Sequence, residues 1–198
     1  TTAINLGFFL AKNNYRTLII DLDPQGNTTT GLGINKEKVN NSVYELILGK
    51  DTVKNVAIEL PIKNLSLLPA KSNLVGAEIE LLQTEHKQLS LKNLLLTASK
   101  DYDFVLIDCP PALGLLTINA LTAATDVIIP VQAEFFALEG MVQLLSSIHQ
   151  VKQLFNKQLN LLGVVMTMMQ SRTSLSTQVY KELKDNFGDK LFKTTIPR

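Results

Sequence analysis

The stretch LIIDLDPQGNTTTGLG, residues 18–33, decides the fold of this chain. Three apolar residues precede two aspartates, Asp21 and Asp23, and a proline and a run rich in glycine and threonine follow them. A second stretch, FVLIDCPP at 104–111, repeats the arrangement with one aspartate, Asp108. Short apolar runs of this kind are typical of buried strands. The sequence therefore predicts two buried strands whose carboxyl ends carry acidic side chains.

The composition is that of an ordinary globular protein. The chain has 198 residues, of which 45% are hydrophobic and 19% are charged, and this length suits one α/β domain. The formal net charge is +1, so overall charge gives no argument for nucleic acid, a membrane or an acidic substrate as partner. The single cysteine, Cys109, excludes an internal disulfide and favours a cytoplasmic protein. No apolar run reaches the roughly 18 residues that a membrane-spanning helix needs.

Strand-like and helix-like patterns alternate along the whole chain. We predict strands at 17–22, 65–69, 104–108, 126–131, 161–167 and 191–196. We predict helices at 1–13, 42–49, 74–83, 88–99, 113–124, 136–155 and 174–186, and a loop or short turns at 24–40. Apolar strands that alternate with helices predict an α/β fold, a mostly parallel sheet flanked by helices on both faces, in a single domain over 1–198.

The acidic strand ends indicate a ligand-binding crevice. Ligands of open parallel sheets bind beyond the carboxyl ends of the strands, where Asp21, Asp23 and Asp108 are expected. Buried carboxylates are costly unless they are paired or bound to a metal, so a converging set indicates a divalent cation, a polarised water or both. Mg²⁺ with phosphate is the usual occupant. The alternative is that each aspartate only caps the turn that follows it.

Three blocks of sequence carry a resemblance to a known family. DLDPQGNTTTGLG at 21–33, LIDCPPALGLLTINAL at 106–121 and IPVQAEFFALEG at 129–140 resemble, in this order, blocks of the ParA/Soj-type partition ATPases of the MinD/ParA deviant Walker A class. TTAINL at the start resembles the helix after the family's phosphate loop, and TTIPR at the end resembles its adenine-side loop. The resemblance implies a P-loop NTPase-like fold that lacks the first strand and the phosphate loop. The chain is therefore expected to be a fragment cut at both ends, inactive alone because the P-loop lysines are missing.

The resemblance also implies roles for individual residues. Asp23 would orient the water that attacks the γ-phosphate, Asp108 would hold Mg²⁺ directly or through water, and Asp21 would be structural. The implied switch residues are Gln25, Gly26 and Asn27 in one segment and Pro110, Pro111 and the residues up to Gly114 in the other. The residues implied at the nucleotide are Thr1 and Thr2 near the phosphates and Met168, Pro197 and Arg198 on the adenine side.

The activity implied by the resemblance is hydrolysis of ATP in chromosome or plasmid partition, with ATP and Mg²⁺ as cofactors. The implied partners are a second copy in an ATP-dependent homodimer, DNA bound without sequence preference, and a ParB-like activating protein, with no membrane and a nucleoid location. The residues alone support DNA binding weakly. Basic side chains between Arg172 and Arg198 are mixed with Glu182, Asp185 and Asp189, and such a run is usually a solvated face.

Other interpretations of the sequence remain open. A MinD-like membrane-cycling ATPase would need a C-terminal amphipathic helix that the sequence does not reach. A receiver-type signalling module also gathers carboxylates around Mg²⁺, but it is a shorter domain that carries a lysine after a late strand, where this chain has PVQ at 130–132. A catalytically dead scaffold is expected if the phosphate loop upstream is degenerate. The GLG at 31–33 lacks the third glycine of a dinucleotide-binding fingerprint.

Overall fold

The computed structural model describes residues 1–134, 137–170 and 173–198. These residues form two compact units, Thr1–Ala123 and Ala124–Arg198. Both units combine parallel strands with helices, so the predicted α/β class is confirmed, while a single domain over 1–198 stays a prediction. In the part of the chain that is described, no helix has the length and apolarity to cross a membrane.

The first unit is built around a four-stranded sheet. Its strands are β1 (Thr17–Asp21), β2 (Ile58–Glu59), β3 (Leu65–Leu68) and β4 (Phe104–Asp108), in the spatial order β2-β3-β1-β4. Strand β1 pairs in parallel with β3 and β4, and the short β2 is antiparallel to β3. Its helices are α1 (Thr2–Lys12), α2 (Asn27–Gly31), α3 (Val43–Ile47), α4 (Val53–Val56), α5 (Leu74–Leu82), α6 (Ser90–Ala98) and α7 (Leu115–Ala123).

Strand β1 is buried along its whole length because it lies between β3 and β4 and is covered on both faces. Leu18 and Leu22 pack into one apolar core, and Ile19, which points to the opposite face, packs into a second cluster. A strand covered on both faces needs a continuous apolar run, which this sequence supplies. The register sets Asp21 beside Asp108, so the two acidic strand ends lie at the same edge of the sheet.

Among the described residues of the second unit are two parallel strands and two α-helices. The strands are β5 (Asp126–Gln132) and β6 (Asn160–Thr167), and the helices are α8 (Ala137–Leu154) and α9 (Ser174–Phe187). The predicted strand at 191–196 is wrong. The chain bends near Lys193, so no continuous ladder forms. Contacts are confined to the two ends, where Leu191 and Pro197 form isolated bridges and the N–H groups of Phe192 and Ile196 donate to β6.

The segment predicted as a loop or short turns, 24–40, contains helix α2 and a 3₁₀ turn at Lys36–Lys38. Helix α2 has five residues, too few for a helical period to show in the sequence. The four-residue α4 and the two-residue β2 were not predicted either, because each is too short to show its own periodicity in the sequence. The other predicted helices and strands are confirmed, with differences of a few residues at their ends.

Candidate active site

Asp21 is a buried carboxylate held by α2. Its Oδ2 accepts hydrogen bonds from the backbone N–H and the hydroxyl of Thr29, both at 2.7 Å. Its Oδ1 accepts the backbone N–H of Asp23 at 3.3 Å. The Thr29 hydroxyl in turn accepts the N–H of Ala70, which follows β3, at 3.0 Å. Because Asp21 is fully buried and both of its oxygens are engaged, its position agrees with the structural role expected for it.

Burial is the main influence on the ionisation of Asp21. Loss of hydration raises the pKa of this carboxyl above its ordinary value, and the negative charge of Asp108 raises it further. The hydrogen bonds from Thr29 and Asp23 act in the opposite direction and stabilise the carboxylate, but they do not cancel the effect of burial. Ionised Asp21 therefore costs the folded state some stability at neutral pH.

We expect Asp21→Asn to change how stability depends on pH. A carboxyl whose pKa is raised in the folded state stabilises that state most at pH values below its ordinary pKa of 3.8. This stabilisation is lost as pH rises through the pKa of the folded state. The asparagine cannot ionise, so the wild type should lose unfolding free energy relative to Asp21→Asn as pH rises above 3.8 towards neutrality. Urea unfolding of both proteins in EDTA at a series of pH values measures this. A constant difference, or one that grows in favour of the wild type, would contradict the prediction.

Asp23 is half-buried and lies just beyond the end of β1. Its Oδ1 accepts the backbone N–H of Gln25 at 2.9 Å, and its carbonyl accepts the N–H of Gly26 at 2.8 Å. These bonds close a turn that fixes the direction of the side chain. Among the described residues, only Oδ1 of this carboxylate is engaged, which leaves Oδ2 available to a water or a ligand.

Gly26 allows this turn because it has no side chain. Its φ is +61°, in the left-handed region, and a Cβ there would lie 2.6 Å from Cδ of Lys36 and 3.1 Å from the carbonyl oxygen of Ala70. Lys36 crosses the turn and donates from Nζ to the carbonyl of Gln25 at 2.5 Å. The first predicted switch segment is thus held by a lysine that the sequence analysis did not single out.

Gly26→Ala should destabilise the protein by more than Gly33→Ala. Gly33 also has a positive φ, +83°, but a Cβ there would meet nothing within 4 Å. Both substitutions incur about 1 kcal/mol of backbone strain, and at Gly26 the collision with Lys36 and Ala70 adds about 1–2 kcal/mol. Urea unfolding of the two variants beside the wild type measures both losses. Equal losses would show that the crowding at Gly26 has no energetic effect.

Asp108 is joined to the first acidic block by a hydroxyl. Its Oδ2 accepts a hydrogen bond from Thr28 Oγ1 at 2.6 Å, and its carbonyl accepts the N–H of Leu22 at 2.8 Å. Thr28 is buried, whereas Asp108 remains partly exposed.

Cys109, the residue after Asp108, is not a candidate nucleophile. Desolvation, together with the charge of Asp108, raises the pKa of Cys109 to about 12, so this thiol stays protonated at neutral pH and is a poor nucleophile.

The second predicted switch segment runs from Pro110 to Gly114 and leads into α7. Pro110 is partly buried and Pro111 is exposed. The hydroxyl of Thr117 donates to the carbonyl of Ala112 at 2.7 Å, which ties the segment to the first turn of α7. Gln25, Gly26 and Asn27 lie at or beside the start of α2. Contact of either segment with a γ-phosphate stays a prediction.

The predicted nucleotide contacts fall in both units. Thr1 and Thr2 lie at the start of α1, where Thr1 precedes the first helical residue. In the second unit, the bridge between Met169 and Pro197 places Met168 near the end of the chain, and the N–H of Arg198 donates to the carbonyl of Met169 at 3.3 Å. Met168 has a φ of +55°, a conformation that non-glycine residues rarely adopt outside functional sites and turns.

Part of the third family-like block lies outside the described residues. These are Phe135 and Phe136 of that block, and Arg172 of the basic C-terminal run lies outside them as well.

The oxygen ligands at the acidic edge of the sheet suit a Mg²⁺ ion that binds together with a phosphate substrate. Among the described residues, no three His, Cys, Asp or Glu side chains form a cluster that could hold a metal. Mg²⁺ is commonly held by one or two carboxylates together with waters and substrate phosphates. Asp108, with the Thr28 hydroxyl on one of its oxygens, fits that arrangement.

Parallel strands that end on Asp21 and Asp108, each followed by a helix, define an α/β protein with an acidic edge on its sheet. A family model described as an AAA domain matches residues 1–161. The sporulation initiation inhibitor protein Soj of Bacillus subtilis is 47% identical over 198 residues, which are 100% of this chain and 78% of that protein. The chromosome partitioning protein ParA of Caulobacter vibrioides is 46% identical over 200 residues, 100% of this chain and 75% of that protein. The chain belongs to the ParA/Soj family of partition ATPases.

A solved structure agrees with this assignment of the fold. The crystal structure of cobyrinic acid a,c-diamide synthase from Mycobacterium smegmatis with bound ADP and magnesium superposes with a TM-score of 0.94 at 39% identity. The match covers 100% of this chain and 80% of that chain. The resemblance drawn from the three sequence blocks is thereby confirmed at the level of family and fold.

Proposed function

We propose that this protein is an Mg²⁺-dependent ATPase that acts in chromosome or plasmid partition. The observation that carries the proposal is the hydrogen bond from Thr28 to Asp108, because it joins the two acidic blocks into one site at the edge of the sheet. The names of the Soj and ParA relatives, which align with the whole chain, support partition as the process. The solved structure with ADP and magnesium supports nucleotide and Mg²⁺ as the ligands.

Asp23 and Asp108 divide the chemistry in this proposal. Asp23, held by the turn to Gln25, orients the attacking water at the γ-phosphate with its second carboxylate oxygen. Asp108 helps hold Mg²⁺, directly or through water, and the ion when bound neutralises charge on the phosphates. The segments at Gln25–Asn27 and Pro110–Gly114 close on the γ-phosphate and report its presence.

The remaining contacts are assigned by the same proposal. Thr1 and Thr2 lie near the phosphates, and Met168, Pro197 and Arg198 line the adenine. ATP drives a homodimer that binds DNA without sequence preference on the nucleoid, and a ParB-like protein stimulates hydrolysis. For DNA binding of this kind, the association constant should fall by about 0.9 log unit per phosphate contact for each tenfold rise in salt concentration.

The test is hydrolysis of ATP by the full-length protein, with release of ADP and phosphate followed with and without Mg²⁺ and with and without DNA. We expect Mg²⁺-dependent turnover, and DNA retention only with ATP or a non-hydrolysable analogue. Transfer of phosphate to an aspartate from a small phosphodonor, without ATP binding, would favour the receiver-type alternative. ATP-dependent binding to anionic vesicles but not to DNA would favour the MinD-like alternative.

A further inference from the structure

Helix α7 begins directly after the switch segment 110–114. The residue before its first turn is Gly114, which has no side chain to accept a hydrogen bond from the helix. The first N–H groups of a helix have no partner within the helix, so another group must satisfy them when they are buried. Leu116, in the first turn, is 1% exposed, so water cannot serve its N–H.

Glu78 of α5 supplies the missing acceptor. Its Oε1 accepts the backbone N–H of Leu116 at 3.2 Å, across 38 residues of sequence. A carboxylate at a helix N-terminus is stabilised further by the partial positive charge of the helix dipole. Among the described residues Glu78 forms no ion pair, so this helix terminus is the positive group that its charge meets. The neighbouring Glu80 instead binds Lys50 and Tyr44.

Gly114 is what lets the carboxylate of Glu78 come this close. A Cβ at Gly114 would lie 2.5 Å from Oε1 of Glu78, which is closer than the two atoms can approach. An alanine there would push the flexible end of Glu78 away and break the bond to Leu116. The bond between Leu116 and Glu78 thus fixes the end of the switch segment. The hydrogen bond from Thr117 to Ala112 holds the middle of the same segment.

We propose that Glu78 is a positioning residue for the switch segment 110–114, acting through the first turn of α7. This proposal rests on the proposed ATPase function, because the ATPase function is what gives segment 110–114 the role of sensing the γ-phosphate. Loss of the bond from Leu116 loosens the segment without removing any group that contacts the nucleotide. It therefore lowers the rate of hydrolysis more than it changes the KM for ATP.

The first experiment measures the bond itself by hydrogen exchange at the Leu116 amide, in the full-length protein without nucleotide. Glu78→Ala should speed exchange on the order of fivefold, the effect of losing a typical helix cap. Glu78→Gln keeps an oxygen acceptor but loses the charge, so its exchange rate should lie between those of the wild type and Glu78→Ala. Glu85→Ala, which removes an exposed carboxylate just past the end of α5, is the matched control. Unchanged exchange in Glu78→Ala overturns the proposal.

The second experiment measures steady-state ATP hydrolysis of the same proteins, together with Gly114→Ala and the double variant. Glu78→Ala and Gly114→Ala should each lower kcat about fivefold with KM within about twofold of wild type, and Glu78→Gln should lose less of kcat than Glu78→Ala. The double variant should be no slower than Glu78→Ala, because the collision at Gly114 has lost its partner. Additive losses, or equal losses in Glu78→Gln and Glu78→Ala, overturn the proposal.

Failure of the positioning proposal is distinguishable from failure of the proposed function. If the wild type hydrolyses ATP and Glu78→Ala is as fast, only the role of Glu78 is overturned. If the wild type hydrolyses no ATP, the ATPase function is overturned and the positioning role falls with it. If Glu78→Ala fails to fold, Gly114→Ala keeps the comparison decisive, because it breaks the same bond from the other side.

Discussion

Asp23→Ala should slow ATP hydrolysis by the full-length protein by on the order of 10²–10⁴-fold and leave ATP binding intact, which is the usual effect of losing a residue that positions and activates the attacking group. The side chain is half-buried, and it accepts a hydrogen bond from the backbone N–H of Gln25, only two residues away. Its removal should therefore change the unfolding free energy by only about 1 kcal/mol. Single-turnover phosphate release, with ATP affinity measured by calorimetry, separates the two effects.

Asp23→Asn is the matched variant for this prediction. The asparagine oxygen can still accept the N–H of Gln25 and keep the turn, but the side chain carries no charge. We expect Asp23→Asn to lose nearly as much activity as Asp23→Ala, because the carboxylate, and not the turn, orients the water. Wild-type turnover in Asp23→Asn would assign Asp23 to the turn alone. Loss of ATP binding in either variant would contradict the proposed division of roles.

The sequence predicts the acidic edge of the sheet because its signal is local. A short apolar run followed by aspartate is typical of the end of a buried strand, and parallel pairing then brings Asp21 and Asp108 to the same edge. The family resemblance adds the fold and the family, and both are confirmed. The roles of individual site residues rest on that resemblance and stay predictions.

The groups that hold the site were not predicted, because their contacts join distant parts of the chain. Thr28 meets Asp108 across 80 residues, and Glu78 meets Leu116 across 38. Neither contact leaves a periodic trace in the sequence. The threonine run after Asn27 offered a weak signal, since a series of hydroxyls beside acidic strand ends can supply hydrogen-bond donors.

The predicted strand at 191–196 shows the opposite error. Its apolar content suggested continuous pairing, but polar residues such as Lys193 and Thr194 lie between the two points where the segment touches its neighbours. A short apolar run predicts an extended conformation more safely than it predicts a ladder partner. The helix α2 was missed for the related reason that one helical turn is below the length at which periodicity can be recognised.

Asp108→Ala is expected to have the second large effect, a loss of hydrolysis on the order of 10²-fold or more even at high Mg²⁺ concentration. Asp108 is the carboxylate at the end of β4, and the proposal gives it the contact with Mg²⁺. Without it, the full-length protein should also need at least about tenfold more Mg²⁺ for half-maximal hydrolysis, since one charged ligand is lost. Titration of hydrolysis with Mg²⁺ at saturating ATP measures both changes.

Thr28→Val separates the metal-binding role of Asp108 from its structural one. The valine keeps the shape of the buried threonine but removes the 2.6 Å hydrogen bond to Asp108, at a cost of about 1 kcal/mol in unfolding free energy. Because the carboxylate remains, we expect a small shift in the Mg²⁺ requirement and a rate within about tenfold of wild type. If Thr28→Val and Asp108→Ala instead lose activity equally, Asp108 serves chiefly to hold α2. Mg²⁺ would then have to be bound by other groups, and the assignment of Asp108 to the metal would be wrong.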